Sequence, residues 1–223
     1  MLTAFLAFVG SPYCQSLLLT PGTTWTYRAE VAWAVGTGDS TGHQSLAWTT
    51  TVLTLRSSDS AVAATVEGWP TDLAWWTPAR TPSTSVLYCT GGRVYLFHPQ
   101  PGAAPELIEG LLSGRQTPTS DDLILSLPLH TGDLYGRDPT ERRDTFYAWF
   151  VEAAELPPDS VRRLRPGVVD SLYSVVFRTA PDYTLIGFLP GLGVVHYIYR
   201  HHGTTAESEA WLVAYRPGPP SSR

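Results

Sequence analysis

The chain has 223 residues, a net charge of −5 and an apolar fraction of 43%, which fit a globular domain and exclude disorder throughout the chain. All 15 basic residues are Arg and form no clustered stripe, so we expect no nucleic-acid partner. The 8 Trp, 11 Tyr and 7 Phe, with frequent Thr, Val, Gly and Pro, favour strands joined by turns. Composition therefore predicts an all-β protein with little helix.

The two ends of the chain differ from its middle. Residues 1–16 begin with an apolar stretch that is shorter than the ~20 residues a membrane-spanning helix needs. We interpret this segment as a signal remnant, an anchor or an edge strand. We also consider peripheral contact with the membrane through this segment. Residues 17–216 are expected to form a single antiparallel β domain. Residues 217–223, rich in Pro and Ser, predict a disordered tail.

The first half of the domain predicts strands with clear turns. Residues 24–35 alternate strictly, with Trp25 and Tyr27 on the apolar face, which is typical of a half-buried antiparallel strand. Further strands are predicted over 45–56 and 61–67. The Gly91-Gly92 pair predicts a hairpin between strands at 85–90 and 93–98.

Two stretches interrupt this pattern. Residues 68–78 are aromatic but contain prolines, which favours a loop or an edge strand. Residues 99–120 are rich in Pro, Gly and Ala, and we expect a crossover or a mobile loop there. No segment shows a sustained helical repeat of apolar residues, so we expect few helices.

The second half returns to strands. Residues 146–152 are apolar on both faces and are expected to be buried on both sides. Strands follow over 171–179 and 183–189, and a hairpin that turns at Gly203 closes the domain. With about nine to eleven strands, the fold is expected to be a large curved antiparallel sheet, half-barrel or sandwich-like.

The closing hairpin carries the residues that most suggest chemistry. His201 and His202 stand at its turn, where either could meet Glu207 across the ladder as an ion pair or a weak metal site. A zinc site needs three or four converging ligands, and only two can be named, so we expect no metal. Residues 38–42 read Gly-Asp-Ser-Thr-Gly, but we expect them in a loop between two strands, not in the strand–turn–helix context of a nucleophile elbow. The chain also lacks a phosphate loop leading into a helix. We therefore expect a protein that is not an enzyme and holds no cofactor.

The aromatic excess points instead to a contact surface. Trp75 and Trp76 lie in the Pro-rich loop and are the best candidates for exposed rings. Trp211 shares a strand with Glu207 and Glu209, and these three residues form a second candidate contact strip.

The two cysteines, Cys14 and Cys89, are candidates for a disulfide. They would pair only in an oxidising compartment and only if their Cα atoms approach closely enough. The sequence leaves both conditions open.

Three motifs give the chain a family resemblance. They are Pro-Gly-Thr-Thr-Trp-Thr-Tyr at 21–27, Leu-Pro-Leu-His-Thr-Gly-Asp-Leu-Tyr at 127–135 and Phe-Leu-Pro-Gly-Leu-Gly-Val-Val at 188–195. In this order they resemble a class of uncharacterised exported bacterial all-β domains, often lipoproteins. The resemblance implies a periplasmic or surface-attached antiparallel β domain and carries no catalytic residues. The residues before Cys14 depart from a lipidation site, which puts anchoring through that cysteine in doubt.

These observations lead to one functional expectation and two alternatives. We expect a non-enzymatic exported protein on the periplasmic or extracellular face, an accessory subunit that docks on a membrane-associated assembly such as a respiratory or photosynthetic complex. The first alternative is a carrier that binds a lipid or another apolar ligand on its concave sheet. The second is a hydrolase or metalloenzyme that uses His201, His202 and Glu207.

Overall fold

The structure, a computed structural model, describes residues 12–36, 40–136, 144–167 and 170–219. It is all-β, and a single antiparallel sheet of 12 strands nearly closes into a barrel. The expected fold class is confirmed, with more strands than predicted. The strands are β1 (Thr24–Val35), β2 (Ser40–Ser57), β3 (Ala61–Glu67), β4 (Thr84–Thr90), β5 (Arg93–Phe97), β6 (Leu123–Ser126), β7 (Leu134–Tyr135), β8 (Trp149–Glu155), β9 (Leu172–Arg178), β10 (Asp182–Leu189), β11 (Gly193–His201) and β12 (Ala206–Arg216).

The sheet consists of two meanders joined at the first and last strands. Its order is β6-β5-β4-β3-β2-β1-β12-β11-β10-β9-β8-β7. Adjacent strands are therefore consecutive in sequence except at the β1–β12 junction, and the consecutive strands β6 and β7 form the two edges. At the two edges, the Tyr135 hydroxyl of β7 donates to the Ile124 carbonyl of β6 at 3.2 Å. The curved sheet therefore brings its first and last edges together through a side chain.

The strict alternation of β1 produces the predicted inner and outer faces. Trp25, Tyr27 and Ala29 point inward and are 3%, 1% and 0% exposed, whereas Arg28 and Glu30 point to solvent. Period-two alternation has this effect because successive side chains leave a strand on opposite sides. The strand thus contributes both to the core and to the outer surface.

Two hydrogen bonds cross the interior from β1, one to the turn between β10 and β11 and one to the start of β11. Trp25 Nε1 donates to the Leu192 carbonyl at 2.7 Å, and the Tyr27 hydroxyl donates to the Val194 carbonyl at 2.9 Å. Both bonds are buried, and both span 167 positions of sequence. Gly193, at φ +99°, passes close to the indole of Trp25. The first and third sequence motifs are therefore in direct contact.

A helix within 99–120 corrects the expectation of an irregular crossover. Helix α2 (Ala104–Leu112), which follows the short α1 (Pro12–Gln15), lays Ile108 and Leu111 on the outer face of β3 and β4. The small side chains of Ala61 and Ala63 leave room for it. At nine residues the apolar stripe was too short to stand out as a sustained helical repeat.

Two further expectations are corrected near β8. The strand starts at Trp149 rather than at residue 146, and Phe146 and Tyr147 are 37% and 43% exposed instead of buried. Tyr147 has φ +58°, a left-handed conformation that a β-strand cannot contain. After β8 the short helix α3 (Asp159–Arg162) places Val161 in the core.

The described parts of the two ends are both tied to the domain. Cys14 forms a disulfide with Cys89 of β4, with their Cα atoms 5.8 Å apart. At the other end, the Gly218 amide donates to Thr23 Oγ1 at 2.9 Å, so residues 217–219 are ordered, contrary to the predicted tail. Residues 1–11 and 220–223 lie outside the described residues. In the part of the chain that the structure describes, no helix is long and apolar enough to span a membrane.

Replacing Tyr27 by Phe should lower the free energy of unfolding by about 1–3 kcal/mol, because the buried Val194 carbonyl loses its donor. Denaturant unfolding measures this change. The control is Tyr13→Phe, which removes the hydroxyl of a 44% exposed ring and should change stability by less than about 0.5 kcal/mol. Equal values for the two variants would contradict the structural role of the buried bond.

Replacing both Cys14 and Cys89 by Ser should lower stability by about 2–4 kcal/mol, because the bond closes a long loop in the unfolded chain. The cysteines are separated by 75 positions. Thermal unfolding of the oxidised protein, the reduced protein and the double variant measures the effect. Reduction should leave the stability of the double variant unchanged, and a change there would show that the reductant acts elsewhere.

Candidate functional site

The outer surface of β1, β12 and β11 presents a registered array of polar and aromatic side chains. Antiparallel pairing aligns their outward positions in three rows across the strands. We call these nine residues the Trp211 face. The rows are Arg28–Trp211–His196, Glu30–Glu209–Ile198 and Ala32–Glu207–Arg200.

His196, Glu209 and Trp211 form a compact cluster on this face. The rings of His196 and Trp211 are stacked, with centroids 3.6 Å apart and an interplanar angle of 14°. Glu209 Oε1 accepts hydrogen bonds from His196 Nε2 at 3.1 Å and from Trp211 Nε1 at 3.0 Å. An ionised carboxylate only accepts, so the imidazole must carry its proton on Nε2. The Glu209 carboxylate thus fixes the two stacked rings in one orientation, and we call this pair of rings the plate.

The position of His196 depends on a glycine of the next strand. Gly187 of β10 is its cross-strand partner, and a Cβ added there would lie 2.7 Å from the Cβ of His196. Trp211 covers the imidazole from the opposite side, which leaves the His196 side chain 13% exposed. The plate is therefore seated on the sheet surface rather than free in solvent.

The environment of the cluster keeps the imidazole neutral and the carboxylate charged. Burial lowers the pKa of His196 below its ordinary 6.5, although the hydrogen bond and charge of Glu209 oppose this shift. Burial by itself would raise the pKa of Glu209, but hydrogen bonds from Trp211 and His196, with the positive charge of Arg200, lower it overall. At neutral pH the cluster carries one net negative charge.

A shallow depression of about 220 Å³ lies beside this cluster. Its lining includes Glu30, Glu207, Glu209 and Arg200, and the short Ala32 contributes to its floor. Glu30 and Glu209 are direct cross-strand partners, a like-charge pairing that costs stability. Each carboxylate has its own hydrogen-bond donors. Ser45 Oγ donates to Glu30 at 2.5 Å, and His196 and Trp211 donate to Glu209. Within the described ranges, no hydrogen bond or ion pair engages Glu207, whose exposed carboxylate remains available.

A second cluster stands at the rim of the sheet, at the loop between β3 and β4. Asp182 Oδ1 accepts hydrogen bonds from the Tyr199 hydroxyl at 2.6 Å and from His201 Nδ1 at 2.9 Å. The ring of Trp75 lies over His201, with centroids 4.4 Å apart. Burial would raise the pKa of Asp182, but the hydrogen bonds from Tyr199, His201 and Thr179 lower it overall.

The structure separates the two tryptophans predicted to be exposed together. Trp75 is 48% exposed and has φ +51°, whereas Trp76 is 5% exposed and packs edge-on against Trp33 at 5.0 Å. The expectation of an exposed Trp76 is therefore wrong. The left-handed backbone at Trp75 turns the two neighbouring rings in different directions, and no sequence pattern predicted that conformation.

The histidines of the closing hairpin do not converge on Glu207. The ladder pairs Glu207 with Arg200, while His201 binds Asp182 of β10 and His202 is exposed at the turn. No group of three or more His, Cys, Asp or Glu side chains among the described residues is placed to hold a metal ion. The sequence analysis missed the bond between His196 and Glu209 because these residues lie on different strands.

Comparisons with known proteins give only distant structural likenesses. Neither a protein-family model nor a curated protein matches the sequence. One similar crystal structure is a predicted exported protein with a YmcC-like fold from Bacteroides fragilis, 10% identical, with a TM-score of 0.40 over 88% of this chain and 96% of that one. Another is a predicted lipoprotein from Parabacteroides distasonis, 12% identical, with a TM-score of 0.38 over 90% and 98%. TM-scores this low establish no common fold, so the function is argued from the residues of this chain.

Two substitutions should move the pKa of His196 in opposite directions. Trp211→Ala uncovers the imidazole and should raise its pKa towards 6.5, whereas Glu209→Gln removes the favourable charge and should lower it further. NMR titration of the imidazole resonances measures both shifts. Shifts of the same sign in the two variants would contradict the arrangement.

The same pKa makes folding sensitive to mild acid. Because the folded-state pKa lies below the unfolded value, the unfolded chain takes up its proton first as the pH falls. The contribution of neutral His196 is complete above 6.5 and declines as the pH drops from there towards the folded-state pKa. Unfolding measured between neutral pH and about pH 5 should therefore show a smaller loss of stability in His196→Gln than in the wild type.

Proposed function

We propose that this is a non-enzymatic exported interaction protein, an accessory subunit that docks on a membrane-associated assembly through the Trp211 face. The observation that carries the proposal is the fixed plate of His196 and Trp211 at the centre of an uncovered sheet surface. Helix α2 covers the outer face of β3 and β4. Helix α3 contacts β12, but its buried Val161 belongs to the interior core, with the inward side chains Ala210 and Leu212 of that strand.

The plate has the physical properties of a binding hot spot. Tryptophan is enriched among the residues that dominate binding energy at interfaces. Trp211 is half-buried and already held by the stack and by Glu209, so little side-chain freedom would be lost on association. Ile198 extends the apolar surface. Glu207, which has no hydrogen bond or ion pair with any residue that the structure describes, supplies a negative charge at its edge. A partner surface with an apolar centre and a basic group opposite Glu207 would be complementary.

The disulfide supports the exported location. Cytosolic thiols are kept reduced, whereas disulfides persist in the periplasm and outside the cell. Cys14 and Cys89 are 4% and 0% exposed, which is the setting of a structural rather than a reactive pair. The bond ties the chain entering the domain to the hairpin of β4 and β5.

Packing on the concave side favours docking over the carrier alternative. Tyr27, Tyr197 and Phe188 are at most 1% exposed and fill the interior at their positions. A lipid bound there would have to displace close-packed rings, which costs several kcal/mol per side chain. The outer face needs no such rearrangement.

Site-directed photo-crosslinking in the native cells tests this proposal. A photoreactive residue at Arg28, an exposed position of the Trp211 face beside Trp211, should give one dominant crosslinked product that fractionates with membranes. The same residue at Glu106, exposed on α2, should give none. Trp211→Ala should abolish the product, because truncation of a hot-spot tryptophan costs about 2 kcal/mol or more of binding.

Leu156→Ala is the matched control for this experiment. It truncates an 82% exposed apolar side chain outside the Trp211 face and should leave crosslinking unchanged. A protein that gives no product from Arg28, or equal products from Arg28 and Glu106, would refute docking through this face.

A further inference from the structure

The loop from Gly68 to Ser83 has a rigid base. Its ends are joined by a hydrogen bond from the Gly68 amide to the Ser83 carbonyl at 2.9 Å. Trp48 Nε1 and Thr50 Oγ1 both donate to the Gly68 carbonyl, at 2.9 and 2.6 Å. Inside the loop, the buried carboxylate of Asp72 accepts from the Ser83 amide at 2.8 Å and from Ser83 Oγ at 2.5 Å. These bonds give the loop a fixed shape.

Arg80 is fixed at one end and free at the other. Its Nε donates to the backbone carbonyl of Asp72 at 2.9 Å, and its amide closes a turn with the Thr77 carbonyl at 2.8 Å. Its terminal nitrogens have no hydrogen-bond or ion-pair partner among the described residues. A guanidinium held through Nε presents two parallel N–H groups, the arrangement that binds a carboxylate or phosphate in a bidentate manner.

The surroundings of Arg80 supply further donors. The residue lies in a depression of about 540 Å³, and hydroxyls and an imidazole share its lining. Hydroxyl and imidazole N–H groups donate readily to anionic oxygens. We call this set the Arg80 depression. Its polar lining residues besides Arg80 are Thr71, Asp72, Thr77, Thr81, Ser83 and His98.

Asp72 is the one group in the depression that opposes an anion. Its residue is 2% exposed, and its two oxygens are both engaged by Ser83. The carboxylate is therefore turned into the loop while Arg80 is exposed to solvent. Its charge offsets part of the attraction of Arg80, which predicts binding that is selective for oxyanions but weak.

We infer that the Arg80 depression binds an oxyanionic group: a carboxylate, phosphate or sulfate. The group is held by the terminal nitrogens of Arg80, with the hydroxyls of Thr77 and Thr81 as additional donors, since the Ser83 hydroxyl already donates to Asp72. This site is separate from the Trp211 face and does not depend on the proposed docking function. The same chemistry is offered by a free anion and by the anionic headgroup of a lipid.

NMR titration of the full chain tests this inference, with sodium phosphate, sulfate and acetate as probes and sodium chloride at matched ionic strength as the reference. Saturable shifts should appear at the amides of Thr77 and Arg80 and at Arg80 Nε–H with the oxyanions but not with chloride. Arg80→Gln should weaken binding about tenfold or more, because both charge-assisted hydrogen bonds of the guanidinium are lost. Arg80→Lys keeps the positive charge but not the two parallel N–H groups, so its affinity should lie between those of the wild type and Arg80→Gln.

Arg56→Gln is the matched control, because Arg56 is an exposed arginine of β2 outside the depression. It should bind like the wild type.

Flotation with phosphatidylglycerol and phosphatidylcholine vesicles distinguishes a free anion from a lipid headgroup. Binding to the anionic vesicles that is lost in Arg80→Gln identifies a headgroup, and binding of the small anions without flotation identifies a free anion. Shifts that do not saturate, that chloride reproduces, or that keep the wild-type affinity in a folded Arg80→Gln protein would overturn the inference.

Discussion

Two hydrogen bonds from β1, to the turn between β10 and β11 and to the start of β11, are the constraint on which the rest of the structure depends. Trp25 and Tyr27 carry their donors across the interior to the carbonyls of Leu192 and Val194. Buried carbonyls need such partners, since leaving one unsatisfied costs about 1–3 kcal/mol. The bonds join the start of the domain to its end, and so they hold the two meanders face to face. With this link the sheet curves until β6 and β7 meet through Tyr135.

That closure determines where binding chemistry is available. The inner positions are filled by aromatic and aliphatic side chains, and helix α2 occupies one part of the outer surface. Accessible polar groups that hydrogen bonds hold in place include those of the Trp211 face, the rim near Trp75 and the Arg80 depression. Each is held by hydrogen bonds to the rigid sheet or loop base, which reduces the entropy lost on binding. An interaction protein needs this combination of a fixed scaffold and preorganised surface groups.

Individual residues show how far sequence reasoning reached. The alternation around Trp25 and Tyr27 predicted the faces of β1, and Gly91-Gly92 predicted the hairpin between β4 and β5. The helix at Ala104–Leu112 was missed because its apolar stripe is only nine residues long and gains its stability from packing on Ala61 and Ala63. Trp75 and Trp76 were treated alike because they are adjacent, whereas a single left-handed residue separates an exposed ring from a buried one.

The sequence by itself determined the fold class, the turns and which side chains share a face, because these properties follow from local propensity and a period of two. It placed Glu207, Glu209 and Trp211 on one side of one strand. Only the tertiary structure decided their partners. His196 reaches Glu209, and His201 reaches Asp182 instead of Glu207, because β11 pairs with β10 on one side and with β12 on the other. Strand register depends on long-range pairing and on bulges such as those at Tyr27 and Phe188, and a one-residue shift would change every cross-strand contact.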